Sequence, residues 1–595
     1  MDYENCPNLA AMFFDQAKAR PEKHFLWSKR DKRYRSMNWE EAADAVSRLA
    51  HALREKGIQA GDRVMLVSEN RPEWLIADIA IMAIGAITVP AYVTNTIADH
   101  RHIIADSGAK AAIVSTEKLA ERLLPAAHEA ADMRFVVAME PVDRSQSLNV
   151  DIYRWFDLVT SAGRGGAGIA EEARRWKRDD IACLIYTSGT GGAPKGVMLH
   201  HGAILHNCRG ARDALVDLGL GEEVFLSFLP LSHAYEHTAG QFFPISIGAQ
   251  IYYAEGADTL SANLTEAKPT LMTAVPRLYE MMQSRMLRTL DSQNKTKQRL
   301  FHKTVELGRK RQTAPAGLNL WEQLEDKILD RLVRKKVRER FGGRLKALVS
   351  GGAPLNPEIG YFFTALGLRI VQGYGQTESA PLISVNPPLR VKMETVGPPV
   401  TGVEVRIAKD GEILARGEMV MKGYWNNPKA TSEVLRDGWL HTGDIGEIDA
   451  DGYIRITDRK KDIIVNSGGD NLSPQRVEGL LTLEREIAQA MVHGDRRPHL
   501  VAVLVPDADW MRDWAKEHNA PNDLYELAED ADFHKALSEA VGRVSANLSN
   551  IEKVRRFMIA DAPFSVDNEM MTPTMKIRRH KIRAVYGEKL EKLYG

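Results

Sequence analysis

IACLIYTSGTGGAPKGVML, residues 181–199, joins two short apolar runs through a loop of glycines and hydroxyl side chains that carries one lysine. The runs Ile181–Tyr186 and Val197–Leu199 have the length and composition of strands. Glycines let backbone N–H groups approach a polyanion closely, and the hydroxyls and Lys195 add further donors. The stretch therefore predicts a strand–loop–strand unit that binds a nucleoside triphosphate.

This loop is not a Walker P-loop. That motif, G-x-x-x-x-G-K-[ST], needs a hydroxyl residue after the lysine, whereas Lys195 stands between Pro194 and Gly196. The alternative interpretation is an ordinary glycine-rich turn. Four glycines, four hydroxyl or lysine donors and the Pro-Lys-Gly end favour a phosphate loop of another kind.

Length and composition indicate a globular chain with several domains. It has 595 residues, of which 44% are hydrophobic and 27% charged. Lys plus Arg and Asp plus Glu both number 79, so overall charge does not suggest a nucleic-acid partner. Cys6, Cys183 and Cys208 have no metal-type spacing, which argues for a reducing compartment and against disulfides. We find no signal peptide and no stretch of 18 apolar residues, so we expect a cytoplasmic protein.

Helical and strand patterns alternate along the first 150 residues. Asn38–Lys56 and Pro72–Gly85 have helical spacing, and Arg63–Ser68 and Ala86–Ala91 are strand-like. This rhythm predicts an α/β fold with a largely parallel sheet.

Two further segments place polar groups after predicted strands. In LVSGGAPL, residues 348–355, the turn Gly351-Gly352 would let a flat ring approach the backbone. In QGYGQTE, which follows the predicted strand Leu368–Val371, Glu378 stands beside Thr377. A carboxylate next to a hydroxyl could hold Mg²⁺ and a phosphate oxygen. The alternative is a common turn and a solvated acid.

Residues 437–466, DGWLHTGDIGEIDADGYIRITDRKKDIIVN, predict a β-meander divided by two Asp-Gly turns. Asp444 could accept hydrogen bonds from both ribose hydroxyls, and Arg459 could donate to the sugar or the α-phosphate. Either residue alone would more often belong to a surface ion pair.

Together these segments resemble the signatures of the adenylate-forming superfamily of acyl-CoA synthetases, luciferases and peptide-synthetase adenylation domains. The usual loop pattern is T-S-G-T-T-G-x-P-K-G, and this sequence has Gly191 where a second Thr or Ser is usual. Residues 437–466 are similar to the acyl-CoA synthetase signature, and a basic insertion is similar to that of the long-chain branch.

The resemblance implies roles for individual residues. Lys576, in MTPTMKIRR, matches the family's catalytic lysine, and His233, in LPLSHAYEH, matches a residue that lines the acyl site. The implied catalytic residues are Lys576, Lys195, Thr377 and His233. The implied magnesium ligands are Glu378 and Thr190. The residues implied to contact ATP or coenzyme A are Thr187, Ser188, Gly189, Thr190, Gly192, Lys195, Gly351, Gly352, Ala353, Gln372, Gly373, Tyr374, Thr377, Asp444, Ile456, Arg459, Lys461, Ser467, Gly468, Gly469 and Lys576.

The resemblance also implies a division of the α/β chain. Residues 1–458 are expected to form a large domain of parallel and mixed sheets with flanking helices and a β-barrel-like subdomain. Residues 459–595 are expected to form a small mobile α+β domain that turns about a hinge at 459–461, with Lys461 as the hinge residue.

Residues 283–346 form a basic insertion with 18 Lys and Arg against 7 Asp and Glu. In WEQLEDKILDRLVRKKVRERF, residues 321–341, Leu324, Ile328, Leu332 and Val333 have helical spacing, with basic residues expected on the other side. Such a helix can lie on an anionic membrane or pack on the core as a solvated insertion. Both interpretations stay open, as does an oligomer.

The resemblance implies ATP-dependent activation of a long-chain fatty acid to acyl-AMP, followed by transfer to coenzyme A. Activation of a medium-chain or aryl acid, or transfer to a carrier protein, is the alternative within enzymes. An inactive acyl- or nucleotide-binding scaffold is the alternative outside them.

Overall fold

The computed structural model describes residues 1–142, 149–161, 168–187, 193–314, 317–468, 470–572 and 575–595. The predicted contact residues Ser188, Gly189, Thr190, Gly192 and Gly469 lie outside these ranges. Within them, we find no helix that has both the length and the apolar character needed to cross a membrane.

Strands and helices alternate through most of the chain. The strands are β1 (His24–Arg30), β2 (Arg33–Asn38), β3 (Arg63–Val67), β4 (Ile87–Ala91), β5 (Ala111–Val114), β6 (Phe135–Ala138), β7 (Asp151–Arg154), β8 (Ile181–Thr187), β9 (Lys195–His200), β10 (Val224–Ser227), β11 (Gln250–Tyr253), β12 (Leu271–Ala274), β13 (Ala347–Ser350), β14 (Ile370–Gly375), β15 (Leu382–Val385), β16 (Glu404–Ile407), β17 (Glu412–Arg416), β18 (Leu435–Arg436), β19 (Trp439–Ile448), β20 (Ile454–Arg459), β21 (Ile464–Val465), β22 (Asn471–Leu472), β23 (Ile487–His493), β24 (Leu500–Pro506) and β25 (Val554–Ile559).

The helices are α1 (Leu9–Ala19), α2 (Trp39–Glu55), α3 (Pro72–Ala83), α4 (Ile97–Ser107), α5 (Glu117–Glu129), α6 (Trp155–Ser161), α7 (Ile169–Ala173), α8 (His201–Leu215), α9 (Ala234–Glu236), α10 (Phe243–Ile247), α11 (Leu260–Ala267), α12 (Pro276–Asp291), α13 (Lys295–Thr313), α14 (Leu320–Leu329), α15 (Lys335–Arg340), α16 (Pro357–Ala365), α17 (Pro428–Val434), α18 (Pro474–Leu481), α19 (Ala508–Glu517), α20 (Leu524–Ala528), α21 (Ala531–Ala546) and α22 (Arg579–Lys592). Short 3₁₀ turns cover Val216–Leu218 and Thr377–Ser379, and π turns cover His237–Phe242 and Asp330–Arg334.

Two large mixed sheets form the body of the N-terminal unit. One has the order β7-β6-β5-β3-β4-β8-β9, with all pairs parallel except β8–β9. The other has the order β15-β14-β13-β12-β10-β11-β1-β2, with antiparallel pairs at its two edges. The predicted α/β class is therefore confirmed.

Helix α3 explains how the two sheets share a core. Its side chains are buried on all sides, from Trp74 to Ala83, as expected for a helix that is apolar all round. They belong to one buried cluster with Leu66 of the first sheet and Phe225 of the second. The helix therefore lies between the sheets.

A smaller antiparallel sheet follows, in the order β16-β17-β19-β18 with β20 paired to β19. Its inner face forms a separate buried cluster that includes Tyr374, Ile413 and Ile454. This is the predicted barrel-like subdomain. The left-handed pair Asp437-Gly438 makes the turn between β18 and β19, as the Asp-Gly pattern predicts.

The C-terminal unit, which we define as residues 459–595, has its own core. Strands β23, β24 and β25 form a sheet whose faces pack against α18, α21 and α22 in two buried clusters. Its contacts with the N-terminal unit include Arg288 with Asp507 at 3.3 Å and with Asp509. The Asn356 side-chain amide also donates to the Gly479 carbonyl at 2.9 Å.

The insertion differs from its prediction. Residues 320–340 are helical, but the π turn interrupts them, and Arg334 is buried with its guanidinium bonded to Asp326 and to the Ala365 carbonyl. Leu324, Ile328 and Leu332 are exposed. The basic residues therefore do not form a separate face opposite the apolar one as expected, because Lys327, Arg331 and Lys335 are exposed beside the apolar side chains and Arg334 is buried.

Candidate functional site

The phosphate-loop hairpin is built as predicted up to the edge of the described residues. Strands β8 and β9 pair antiparallel with Thr187 opposite Lys195, so both lie where the loop begins and ends. A side chain at Gly196 would come within 3.0 Å of the Tyr186 ring and 3.3 Å of Trp425 Cβ. Residue 196 is therefore closely packed on both sides, and a side chain there would have to displace its neighbours by a few tenths of an ångström.

Residues 422–425, which we call the cover segment, run along the free edge of β9. The Trp425 N–H donates to the Gly196 carbonyl at 2.7 Å, and the Met198 N–H donates to the Gly423 carbonyl at 3.0 Å. Sequence reasoning missed this segment, because its pairing is with residues more than 200 positions earlier.

Tyr424 of the cover segment lies between two predicted site residues. Its hydroxyl donates to Glu378 Oε1 at 2.8 Å, and its ring centroid is 5.0 Å from Lys195 Nζ. Burial, reinforced by the charge of Glu378, raises the pKa of Tyr424, so its hydroxyl remains a donor. Lys195 and Glu378 are therefore brought to one place by a residue that the sequence did not single out.

The predicted nucleoside contacts also meet. The Tyr374 hydroxyl donates to Asp444 Oδ2 at 2.7 Å, and Arg459 Nε donates to Asp444 Oδ1 at 3.1 Å. Asp444 and Arg459 face each other across β19 and β20. Each carboxylate oxygen has a second lone pair, so Asp444 keeps acceptor capacity for a ligand.

Gly351 and Gly352 follow β13, as predicted. A side chain at Gly351 would come within 3.0 Å of the Tyr235 ring, and Gly352 has φ +81°, which favours glycine. The Tyr235 hydroxyl donates to the Val349 carbonyl at 2.8 Å, which fixes the ring against this turn. Ala353 is half-buried next to it.

Lys576 reaches this cluster from the C-terminal unit. The chain on either side of it pairs through Met571 and Ile577, and the Lys576 N–H donates to Thr572 Oγ1 at 3.0 Å. Burial, followed by the charge of Arg459, lowers the pKa of Lys576 to about 8, while Asp444 and Glu378 act in the opposite direction. The ammonium group is therefore within electrostatic reach of the N-terminal unit's site.

His233 lies within electrostatic reach of Lys576. Its Nδ1 accepts the Tyr235 N–H at 3.2 Å, which caps α9. Burial, with a smaller effect from Lys576, lowers the pKa of His233 to about 3. The ring is therefore neutral at neutral pH and adds no repulsion to Lys576.

The predicted contacts within residues 372–377 differ from one another in secondary structure, hydrogen bonding and burial. Strand β14 extends to Gly375, so Gln372, Gly373 and Tyr374 are strand residues and do not follow the strand as predicted. The Gln372 amide donates to the Met393 carbonyl at 2.6 Å. Thr377 is buried at the start of its 3₁₀ turn.

The last predicted contacts lie at and beyond the end of the small sheet. Ile456 is half-buried on β20, and Lys461 is exposed in the turn after it. Ser467 and Gly468 are exposed in the loop between β21 and β22, as the predicted hairpin requires.

Comparison with known proteins finds matches over nearly the whole chain. A family model described as "AMP-binding enzyme" matches residues 13–425, and one described as "AMP-binding enzyme C-terminal domain" matches residues 461–595. The long-chain-fatty-acid–CoA ligase FadD15 of Mycobacterium bovis is 33% identical, covering 99% of this chain and 97% of that protein. Long chain acyl-CoA synthetase 3 of Arabidopsis thaliana is 29% identical, covering 94% and 87%.

Among solved structures, the adenylation domain of a carboxylate reductase from Mycobacterium chelonae has a TM-score of 0.76 and 20% identity, covering 99% of this chain and 91% of that one. This similarity shows a shared fold. With the family models matching both units, the chain belongs to the AMP-binding enzyme family.

Proposed function

We propose that the protein is a long-chain fatty acid–CoA ligase that forms acyl-AMP and diphosphate from ATP and then transfers the acyl group to coenzyme A, releasing AMP. The observation that carries the proposal is that Lys576 and Arg459 of the C-terminal unit meet Asp444 and Glu378 of the N-terminal unit at one site, where Arg459 bonds Asp444 and Lys576 lies within electrostatic reach of both carboxylates. The curated relatives with matching names cover nearly the whole chain, which supports the same reaction.

The first step needs electrostatic stabilisation. A fatty carboxylate attacks the α-phosphorus, the bond to diphosphate breaks, and negative charge grows on the α-phosphoryl oxygens. Lys195, Thr377 and Lys576 are proposed to donate to phosphate oxygens. A unit charge at contact distance contributes about 4 kcal/mol at an effective dielectric constant of 20.

Asp444, Arg459 and Tyr374 are proposed to hold the nucleoside. Asp444 accepts from the ribose hydroxyls, and Gly351, Gly352 and Ala353 leave room for the adenine. His233 is proposed to line the acyl site next to Lys576.

The residues present fit a magnesium ion. Glu378 offers a half-buried carboxylate beside Thr377, close to the phosphate-binding Lys195. Mg²⁺ usually binds one or two carboxylates together with substrate phosphates, and when bound here it would neutralise phosphate charge. Thr190, the other proposed ligand, lies outside the described residues.

The second step needs a different arrangement, because a thiol must reach the carbonyl from the side that Lys576 occupies. We propose that the C-terminal unit, residues 459–595, turns about Lys461 relative to residues 1–458. Within the hinge at 459–461, Lys460 contacts Asp410 at 2.6 Å and Glu412 at 3.2 Å in the N-terminal unit, so the first part of the hinge stays attached to that unit while the chain turns at Lys461. Ser467, Gly468 and Gly469 are proposed to meet the pantetheine after this turn.

The proposal is tested by AMP release that depends on coenzyme A, with palmitate, benzoate and acetate as acids. We expect palmitate to react fastest, and neighbouring even chain lengths to differ by no more than about 15-fold, because the two methylenes between them contribute about 1.6 kcal/mol when buried. Faster reaction with benzoate or acetate would support the alternative acids. If no acid yields an acyl adenylate, the remaining interpretation is the inactive acyl- or nucleotide-binding scaffold.

We further propose that the insertion holds the enzyme on anionic membranes. Leu320, Trp321, Leu324, Ile328 and Leu332 form a stripe that we call the apolar stripe, and their exposed fractions are 82%, 81%, 53%, 53% and 45%. Their spacing places them on one helical face. Exposed Lys327, Arg331 and Lys335 lie beside them, and the insertion carries 18 basic against 7 acidic residues, which suits negatively charged lipids.

A double variant, Trp321→Glu with Leu324→Glu, should lower binding to phosphatidylglycerol vesicles by about tenfold or more, because two apolar side chains no longer enter the bilayer. Co-sedimentation measures the partition coefficient. Phe156→Glu, which changes a side chain that is 70% exposed on α6, is the matched control. Equal losses in both proteins, or dissociation of an oligomer without vesicles in the double variant, would contradict the membrane assignment.

A further inference from the structure

Tyr424 touches two groups that the proposed function assigns to the nucleotide. Its hydroxyl donates to Glu378 Oε1 at 2.8 Å, while its ring lies 5.0 Å from Lys195 Nζ. Within the described residues, Lys195 and Glu378 do not pair directly with each other. Without the Tyr424 side chain, the Lys195 ammonium and the Glu378 carboxylate could form an ion pair. Neither group would then be free to bind the nucleotide or its metal.

The position of Tyr424 does not depend on these two contacts. Its N–H donates to Thr431 Oγ1 at 2.9 Å, and it forms a β-bridge with Val197 of β9. A side chain at Gly423 would come within 2.7 Å of Thr431, so the backbone is closely packed before it. These backbone contacts therefore hold the Tyr424 ring in place.

Glu378 is held by the same stretch of chain. Its carbonyl accepts the Met421 N–H at 2.9 Å, and its side chain accepts the Tyr424 hydroxyl. Groups that orient a metal-binding carboxylate in this way usually change metal affinity when they are removed. The aromatic face offers a cation such as Lys195 a weak attraction that does not consume its hydrogen-bond donors.

We infer that Tyr424 is a positioning residue that orients the Glu378 carboxylate for Mg²⁺ and keeps it apart from Lys195. Glu378 then stays free for the metal, and Lys195 stays free for the phosphates. This inference rests on the proposed function. It assigns Tyr424 no contact with the reacting atoms.

Tyr424→Phe separates the two contacts, since it keeps the ring and removes the hydroxyl. With a non-hydrolysable ATP analogue bound, we expect the affinity for Mn²⁺, measured by electron paramagnetic resonance, to fall about 10- to 100-fold. Binding of the analogue in EDTA should stay within about twofold. Tyr424→Leu should in addition weaken that metal-free binding by about two- to fivefold, because Lys195 loses the ring.

Tyr453→Phe is the matched control. The Tyr453 hydroxyl also donates a hydrogen bond, to the Arg390 carbonyl at 2.8 Å, and its ring also lies near a lysine, with Lys392 Nζ 4.4 Å from the centroid. It should bind Mn²⁺ like the unmodified protein. In kinetics, Tyr424→Phe should raise the magnesium concentration for half-maximal rate without changing KM for palmitate, a split that a general loss of structure would not produce.

Unchanged Mn²⁺ affinity in a folded Tyr424→Phe protein, or an equal loss in Tyr453→Phe, would overturn the inference while leaving the ligase assignment intact. If the unmodified protein releases AMP with palmitate but binds Mn²⁺ no better with the analogue than without it, the magnesium site itself is wrong, and this inference fails with it.

Discussion

Lys576→Ala should lower the rate of acyl-AMP formation by about 10²- to 10³-fold, the usual loss when one donor to a developing oxyanion is removed. The structure supplies the reason, because Lys576 of the C-terminal unit lies next to Arg459 and within electrostatic reach of Asp444 and Glu378 of the N-terminal unit. Thioester formation from supplied palmitoyl-AMP should be nearly unchanged, since Lys576 must leave before the thiol enters. ATP–diphosphate exchange measures the first reaction and coenzyme A consumption the second.

The control for this variant is Lys581→Ala. Lys581 is a half-buried lysine of the same unit that pairs with Glu569 at 2.6 Å, and its loss should affect neither reaction. An equal loss of both reactions in Lys576→Ala would show that the lysine supports the structure and not the adenylation step.

Lys461→Pro should have the opposite effect on the two reactions. Proline fixes φ near −65°, and a second arrangement that needs another φ is disfavoured by about 1–3 kcal/mol, or roughly 5- to 160-fold in rate. We expect thioester formation to fall by that factor and adenylation to change little. The same pair of assays measures both.

Lys461→Ala removes the same side chain but leaves the backbone free to turn, so the additional loss in Lys461→Pro measures the effect on the hinge. A larger loss of adenylation than of thioester formation in Lys461→Pro would place the turning point elsewhere in the chain.

Most of the fold could be predicted because its signals are local. The β8–β9 hairpin, α2 and α3 follow from apolar periodicity and glycine stops. The capping box at the start of α2, in which Asn38 and Glu41 bond each other's N–H groups, is likewise contained in a few neighbouring residues. The π turn at 330–334 could not be predicted, because buried Arg334 bonds to a carbonyl on α16.

The candidate site could be predicted where one short segment of sequence carries the residues that lie together. Asp444 and Arg459 are opposite each other because one meander carries both. Tyr424 and Tyr235 were missed because their roles depend on residues distant in the chain, namely Glu378 with Lys195 and Gly351 with Val349. Gln372 shows the converse, since its predicted ligand contact competes with an internal hydrogen bond to Met393.

The polar contacts between the two units carry a consequence for the resting enzyme. Arg288 meets Asp507 and Asp509 at the protein surface, where such pairs contribute about 0–1 kcal/mol. This ion-pair cluster therefore contributes little to holding the two units together before any substrate arrives. A nucleotide that binds to both units would favour the docked arrangement. The concentration of ATP would then set the fraction of enzyme in which the units are docked, in addition to supplying the substrate.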